Sequence, residues 1–258
     1  MSEMNPYKPP ESRGADVIAP AGDFIAGGRA VDAGRGWEWI ASGFALFKKQ
    51  PGMWILLFIV FAVISILMSV VPFLGGIANM LLYPVFSAGF MLGCRALENG
   101  EELEIGHLFA AFKKNTSNLV IVGLLSLVAI VVILVPAMLM VGGAGFLAGM
   151  HGGAYNFAAM GLTVVLAVLV VLALSIPIYM AMWFAPSLVI FHDLAPLEAL
   201  KTSFFACLKN IIPFLLYGII VLILSVIAVI PFGLGLLILI PVVLASIYTA
   251  YRDIFFAG

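Results

Sequence analysis

Six long runs of apolar residues, none of which contains Asp, Glu, Lys or Arg, dominate this sequence. An α-helix rises ~1.5 Å per residue, so about 20 apolar residues cross the hydrocarbon core of a bilayer. Closed β-barrels are excluded because their strands alternate in polarity, whereas these runs are continuously apolar. The chain is therefore predicted to be an all-α integral membrane protein with six transmembrane helices. The predicted spans are residues 53–73, 77–94, 119–140, 157–191, 211–232 and 236–251.

The composition excludes a water-soluble enzyme. Apolar residues make up 64% of the 258 residues and charged residues only 10%, against about 45–50% and 25% in ordinary soluble domains. The formal net charge of −1 leaves no basic surplus for binding nucleic acid. Two cysteines are too few for a disulfide scaffold.

Residues 1–35 differ from the rest because they are rich in proline, glycine and mixed charges. Such a stretch cannot bury enough apolar surface to offset the entropy lost on ordering. We therefore predict a disordered cytoplasmic tail over residues 1–35 and a single membrane domain over residues 36–258. The proline-rich residues 5–10 are either the start of a solvated tail or a short docking peptide for a protein partner.

A short motif recurs just before the first, third and fifth predicted spans. It reads FALFKK at 44–49, FAAFKK at 109–114 and FACLKN at 205–210. Apolar residues at helical spacing with lysines at one end are typical of helices that lie at the membrane surface. We therefore predict three repeats, each an amphipathic interfacial helix followed by a transmembrane hairpin. Their approximate ranges are 36–97, 104–192 and 193–256.

Proline recurs inside the second transmembrane helix of each predicted repeat, at Pro84, Pro177 and Pro241. Proline removes a backbone hydrogen bond and bends a helix, so kinks are expected at these positions. Residues 157–191 exceed the length of a simple span, so this helix is expected to tilt, to kink or to project beyond the bilayer. The glycine-rich stretch 141–153 is expected to turn the chain before it.

Formal charge is confined to one side of the predicted topology. All twelve Lys and Arg and all thirteen Asp and Glu lie in the tail, the interfacial helices, the loops after the second and fourth spans, or the C-terminus. The three opposite connections, around residues 75, 141–156 and 233, carry no formal charge. The positive-inside rule then places both termini in the cytoplasm.

Membrane lipids are the expected partners of the lysines near the predicted interfacial helices. Each lysine close to an anionic leaflet contributes about 1 kcal/mol of binding. The candidate headgroup contacts are Lys48, Lys49, Lys113, Lys114, Lys201 and Lys209. Gly89 and Gly93 form a small-xxx-small pair, which is expected to pack against another helix inside the bundle, with homodimerisation as the alternative.

The sequence does not reveal chemistry typical of coupled transport or catalysis. No acidic or basic residue falls inside a predicted span, whereas proton relays and ion sites need such residues there. The three histidines lie in separate loops without ligand partners at metal-site spacing. We therefore expect no metal, no cofactor and no enzymatic activity. A catalytic His192-Asp193 pair is the alternative to a polar loop that precedes a helix.

Two stretches carry a family resemblance. They are residues 36–47, GWEWIASGFALF, and residues 184–210, which contain FAPSLV, DLAPLEALK and CLKN. Together they resemble an uncharacterised family of inner-membrane proteins of Gram-negative bacteria, distantly similar to the membrane domain of some glycerophosphodiester phosphodiesterases. The resemblance covers roughly residues 36–256. It implies a multi-span bundle in the bacterial inner membrane and supplies no catalytic residues.

Two functions are compatible with these patterns. The first is a non-enzymatic inner-membrane protein that organises partners or lipids through its cytoplasmic-side interfacial helices and tail. The second is an uncoupled transporter or lipid-translocating protein with a site between the repeats. The second function requires a polar or lipid-wide cavity near Pro84, Pro177 and Pro241, whereas the first permits a bundle that is packed throughout.

Overall fold

The computed structural model describes residues 22–150 and 157–257, and side chains over 22–146 and 160–257. Regular structure in these ranges is α-helical, apart from one isolated β-bridge between Phe24 and Phe256. The helices are α1 (Arg35–Lys49), α2 (Pro51–Ser69), α3 (Leu74–Glu98), α4 (Ile105–Ala110), α5 (Thr116–Met150), α6 (Phe157–His192), α7 (Pro196–Lys209), α8 (Ile211–Val229) and α9 (Leu236–Phe255).

Six of the helices in the described ranges are long and apolar enough to cross a membrane, namely α2, α3, α5, α6, α8 and α9. The predicted number and order of the spans are therefore confirmed. A short helix precedes α2, α5 and α8, which are the first, third and fifth of these helices. Helices α1 and α7 contain all or nearly all of the recurring motif, whereas α4 ends at Ala110 and contains only its first two residues. The location of the three short helices at the membrane surface stays a prediction.

Helix α5 extends further than the sequence indicates. A turn is predicted from residue 141, but α5 continues to Met150 and has 35 residues. Each glycine costs a helix about 1 kcal/mol, but a backbone group without a partner costs several in an apolar environment, so the helix is retained. Helix α6 has 36 residues, as expected from its long apolar run. Residues 151–156 lie outside the described ranges.

The predicted tail needs a correction at its C-terminal end. The N–H group of Ile25 donates to the carbonyl of Phe255, and that of Arg29 to the carbonyl of Ile254, both at 2.8 Å. Residues 24–31, which we call the N-terminal segment, therefore lie along the end of α9 and are not disordered. Contacts with distant residues stabilise the segment, and composition does not reveal such contacts. Residues 1–21 lie outside the described ranges.

The packed core lies at the end of the bundle that carries the charged residues. Large buried side chains there include Trp39 of α1, Met91 of α3, Phe184 of α6 and Tyr251 of α9. Towards the opposite end, many apolar side chains of α5 and α6 are exposed. Such a surface suits hydrocarbon and not water. The bundle is therefore dense at its charged end and more open towards its uncharged end.

Candidate functional site

A cavity of about 760 Å³ lies between α3, α5, α6, α8 and α9, and we call it the chamber. Its volume falls in the range of about 300–1,000 Å³ that is typical of small-molecule sites. Gly76 and Leu236, near the uncharged ends of α3 and α9, line one end of it, and Ser87 and Ile247 lie deeper. The chamber thus extends from the uncharged ends of these helices towards the packed core.

The polar side chains that line the chamber are all uncharged. They are Asn79, Tyr83, Ser87, Ser126, Tyr179, Trp183 and Ser225, and the other lining residues are apolar or glycine. An ion inside a membrane protein needs charged or carbonyl ligands that replace its water. The lining is instead suited to a neutral ligand that is mostly apolar and has a few hydrogen-bonding groups.

Hydrogen bonds at the chamber leave one buried donor without an acceptor. The hydroxyl groups of Ser126 and Ser225 donate to carbonyls of their own helices, at 2.9 and 2.7 Å. The amide of Asn79 donates to the Ser65 carbonyl at 3.0 Å. The indole N–H of Trp183, in contrast, is buried and has no acceptor in the described part of the chain. Such a group costs about 1–3 kcal/mol, so a ligand with an acceptor oxygen would be favoured here after a small side-chain movement.

The three candidate kink prolines lie beside the chamber. Helices α3, α6 and α9 continue through Pro84, Pro177 and Pro241, and the predicted kinks stay a prediction. A chain neighbour of each proline lines the chamber: Tyr83, Ile178 and Ile240. Proline removes a hydrogen bond from the helix, which makes these segments the easiest to bend.

An ion-pair cluster around Asp253 lies at the charged end of the bundle. The Asp253 carboxylate accepts hydrogen bonds from Arg29 at 2.9 Å, from Arg35 at 2.7 Å and from the Trp39 indole at 2.8 Å. Only 4% of the Asp253 side chain is exposed. The hydrogen bond with Asp253 raises the pKa of the Arg35 guanidinium above its ordinary value. These contacts fasten α1 and the N-terminal segment to α9.

Two residues of the third motif hold the other side of the N-terminal segment. Lys209 donates to the carbonyl of Gly27 at 2.9 Å. Asn210 accepts from the N–H of Val31 at 2.8 Å and donates to the carbonyl of Arg29 at 2.9 Å. Lys209 therefore makes a hydrogen bond within the protein, in addition to any contact with lipid.

The other candidate lysines differ in their surroundings. The ammonium of Lys48 lies 5.1 Å from the centre of the Phe44 ring, and that of Lys49 donates to the Leu97 carbonyl at 2.6 Å. Lys113, Lys114 and Lys201 are exposed. Contact of these lysines with lipid headgroups stays a prediction.

Gly89 and Gly93 lie where α3 meets α4 and the loop before it. A Cβ atom at Gly89 would lie 2.6 Å from the Leu108 carbonyl oxygen, and one at Gly93 would lie 2.6 Å from the side chain of Leu103. The two glycines therefore permit a close contact inside the bundle. These neighbours inside the bundle explain why both positions are glycine, and no second copy of the chain is needed for the explanation.

His192 and Asp193 contact other residues and do not form a hydrogen-bonded pair with each other among the contacts of the described residues. The His192 ring stacks on Phe24 with centroids 3.6 Å apart, and its Nε2 lies 2.6 Å from the Tyr251 hydroxyl. Asp193 accepts a hydrogen bond from Asn115. Among the described residues no group of three or more His, Cys, Asp or Glu is arranged to hold a metal ion.

Comparison with known proteins identifies one relative with a substantial match. The chain is 32% identical over 196 residues to a probable inner membrane protein of Burkholderia thailandensis. The match covers 73% of this chain and 72% of the relative. The chain belongs to the same family. No family model and no solved structure matches it.

Membership of this family agrees with the six apolar helices and identifies an integral, multi-pass inner-membrane protein. The name of the relative mentions no phosphodiesterase, so the distant similarity to phosphodiesterase membrane domains stays a prediction. Sequence reasoning missed the Asp253 cluster, because its members come from opposite ends of the chain. The only signal in the sequence was the charged pair Arg252-Asp253 at the end of the last apolar run.

Proposed function

We propose that this protein binds a lipid-like molecule in the chamber and moves it within the membrane. The observation that carries the proposal is the chamber, because helices of all three predicted repeats line it. Membrane proteins built from repeats often hold their ligands at the interface between the repeats. The proposed role is non-enzymatic and uncoupled to ions, since no charged side chain lines the chamber in the described part of the chain.

The chemistry of the lining supports a lipid as the ligand class. Aliphatic side chains such as Leu239, Val243 and Leu244 provide most of the surface, which is suited to an acyl or isoprenoid chain. Trp183 provides the donor without an acceptor, which is suited to an ester, hydroxyl or quinone oxygen. A molecule with both features satisfies the lining without burying an unpaired charge.

The pattern of helix contacts supports three repeats arranged in a ring around the chamber. Helix α4 packs mainly on α3, α7 on α6, and α1 on α9. In each case the short helix of one repeat contacts the second transmembrane helix of the repeat before it. For the first repeat, the repeat before it in the ring is the third. A ring of three equivalent units has this order of contacts.

Equivalent residues also meet at two of these contacts. Alignment on the recurring motif makes Gly43 equivalent to Leu108, and alignment on Pro84 and Pro241 makes Gly89 equivalent to Ser246. A Cβ atom at Gly43 would lie 2.7 Å from the Ser246 nitrogen, and one at Gly89 would lie 2.6 Å from the Leu108 oxygen. Equivalent positions are therefore in close contact both between α1 and α9 and between α3 and α4, and this supports the repeat.

The third contact of the ring is the one between α6 and α7. It is made by a hydroxyl group next to the position that is equivalent to Gly43 and Leu108. Ser203 of α7 accepts a hydrogen bond from the N–H of Phe184 at 2.9 Å and donates to the carbonyl of Met180 at 2.7 Å. In a regular α-helix the Met180 carbonyl is the acceptor of the Phe184 N–H, so the Ser203 hydroxyl contacts both members of one backbone pair of α6. Ser203 therefore stabilises α6 as well as its contact with α7.

A chamber-filling substitution tests the proposed lipid binding. Ser225→Phe places an aromatic ring in the chamber, whereas Val226→Phe places the same ring at a neighbouring position of α8 that is exposed on the outside of the bundle. We expect native mass spectrometry of the wild-type protein and of Val226→Phe to detect a retained neutral lipid, and Ser225→Phe to lose most of it. Equal lipid retention by the two variants would refute the chamber as the site.

A lipid-transfer assay distinguishes binding from movement. With the protein in liposomes, we expect the wild type and Val226→Phe to accelerate transbilayer exchange of a fluorescent neutral lipid, and Ser225→Phe to do so several-fold more slowly. Lipid retention without any acceleration would limit the proposed function to binding.

A second role for the short helices is favoured by their exposed aromatic residues. Trp37 and Phe44 of α1, Phe109 of α4 and Phe205 of α7 are exposed and lie in helices that carry or adjoin lysines. Aromatic rings and lysines near each other suit the headgroup region. We propose that these helices anchor the charged end to anionic lipids and present it to protein partners, with the tail as a further contact.

The proposed orientation, with the charged end and both termini in the cytoplasm, can be tested by cysteine labelling. The native Cys94 and Cys207 are buried, and burial raises the pKa of the Cys207 thiol to about 12, so both react slowly. We expect an impermeant maleimide to label Phe232→Cys but not Lys113→Cys in spheroplasts, and to label both after lysis. Labelling of Lys113→Cys before lysis would reverse the orientation.

A further inference from the structure

A second cavity, of about 440 Å³, opens at the charged end of the bundle, and we call it the charged cleft. Its walls come from the N-terminal segment, from α1, from the end of α3, and from the end of α9 with the two residues that follow it. The charged residues that line it are Arg29, Arg35, Lys49, Glu98, Arg252 and Asp253. The chamber and the charged cleft have no lining residue in common.

Positive charge is in excess in the charged cleft. Four cationic side chains line it, against two carboxylates, Glu98 and Asp253. The Asp253 carboxylate is already shared between Arg29 and Arg35, and Arg35 also pairs with Glu38, which does not line the cleft. Glu98 accepts a hydrogen bond from the Tyr248 hydroxyl at 2.6 Å, and this leaves it less able to neutralise a cation.

Lys49 and Arg252 carry the charge that is least compensated. Lys49 has no carboxylate within 4.0 Å among the described residues, and its ammonium donates to the neutral carbonyl of Leu97. Arg252 lies 3.5 Å from Glu98 through Nε, and its Nη1 is buried without an acceptor in the described part of the chain. A guanidinium and an ammonium group on facing helices, each with N–H donors that no carboxylate occupies, are typical of an anion site.

We propose that the charged cleft binds the phosphate group of a phosphate ester. A phosphate has the charge that balances the excess, and it has several acceptor oxygens for Lys49 and Arg252. The hydroxyl groups of Ser42 and Thr249 also line the cleft and add neutral donors. The phosphate comes either from an acidic phospholipid headgroup or from a soluble phosphate ester, and these sources share one recognition chemistry.

The test compares neighbouring lysines in the full-length protein. Lys49→Gln removes a charge from the cleft, whereas Lys48→Gln removes the same charge from an adjacent exposed residue outside it. Binding is followed by the ligand-dependent rise in apparent Tm in neutral detergent, with glycerol 3-phosphate or phosphatidylglycerol as the ligand. We expect Lys49→Gln to raise the apparent Kd roughly tenfold or more, as for a lost charge-assisted hydrogen bond, and Lys48→Gln to change it less than twofold.

A second pair of variants keeps the test decisive if Lys49→Gln fails to fold. Ser42→Glu adds a negative charge inside the cleft at an exposed position, and Ala41→Glu adds it at the adjacent exposed residue outside. Only Ser42→Glu is expected to weaken binding. Saturable stabilisation by glycerol 3-phosphate indicates a soluble ligand, and stabilisation by phosphatidylglycerol alone, above phosphatidylcholine, indicates a lipid headgroup. No saturable effect of either ligand on the wild type, or equal effects of the paired variants, would overturn the proposal.

Discussion

Replacement of Asp253 by alanine is expected to destabilise the protein by about 3 kcal/mol. The substitution removes a buried carboxylate that accepts hydrogen bonds from Arg29, Arg35 and Trp39. The indole N–H of Trp39 then stays buried without its acceptor. The side chains of Arg29 and Arg35 are 40% and 38% exposed, so water compensates part of their loss. This places the effect at the low end of the ~3–5 kcal/mol found for broken buried ion pairs.

The measurement is thermal unfolding in detergent, followed by tryptophan fluorescence. A loss of about 3 kcal/mol corresponds to a decrease in apparent Tm of roughly 6–12 °C for a chain of this size. Trypsin should also cleave after Arg29 or Arg35 more readily, because both lose the contact that holds them on α9. Asp32→Ala, which removes an exposed carboxylate, is the control and should have little effect. An unchanged Tm in Asp253→Ala would show that the cluster does not fasten the N-terminal segment.

Replacement of Gly43 by leucine is expected to have an effect of similar size. A Cβ atom at Gly43 would lie 2.7 Å from the nitrogen and 2.9 Å from the Cα of Ser246, and 2.8 Å from the carbonyl oxygen of Val242. These are backbone atoms, so a side-chain rotation cannot relieve the clash and α1 must move away from α9. Overpacking of this kind typically costs about 1–3 kcal/mol, and the larger value is expected for a side chain of leucine size.

Gly52→Leu is the matched control, because a Cβ atom at Gly52 has no neighbour within 4 Å. The control should keep the Tm of the wild type, or raise it slightly, since leucine favours a helix over glycine. Gly43→Leu should lower the apparent Tm by several degrees. A similar Tm in both variants would mean that α1 and α9 are not in close contact, and it would remove one of the two equivalent contacts that support the repeat.

The transmembrane helices could be predicted from the sequence because a bilayer imposes two simple requirements. A span must be about 20 residues long and must satisfy its own backbone hydrogen bonds, and both requirements are visible in local sequence. The same reasoning fails at 141–150, where glycines suggest a turn but α5 continues to Met150. Glycine lowers helix propensity, but unpaired backbone groups cost more than that in an apolar environment.

The N-terminal segment could not be predicted because its stability comes from distant residues. Arg29 pairs with Asp253, which is 224 positions away, and its carbonyl is bound by Asn210. Composition alone describes how much apolar surface a segment can bury, and it says nothing of such partners. The proline, glycine and mixed charges of residues 1–35 as a whole therefore suggested a tail that includes residues 24–31, where the structure has an ordered segment.

The sequence predicted only the approximate location of the chamber and not the side chains that line it. Pro84, Pro177 and Pro241 predicted where helices bend, which stays a prediction, and a site between repeats was one of two alternatives. Which side chains face inward depends on the rotation of each helix, and long runs of apolar residues have almost no amphipathic signal that would fix it. Tyr179 and Trp183, one turn apart on α6, are recognisable as lining residues only once the helices are in place.

The most direct test of the account is an electron cryomicroscopy map of the protein in lipid nanodiscs. If the chamber binds a lipid, the map has elongated density for a bound molecule in contact with Tyr83 and Trp183, and weaker density in Ser225→Phe. A map in which α3, α6 and α9 close on one another, so that side chains fill the chamber, would contradict it.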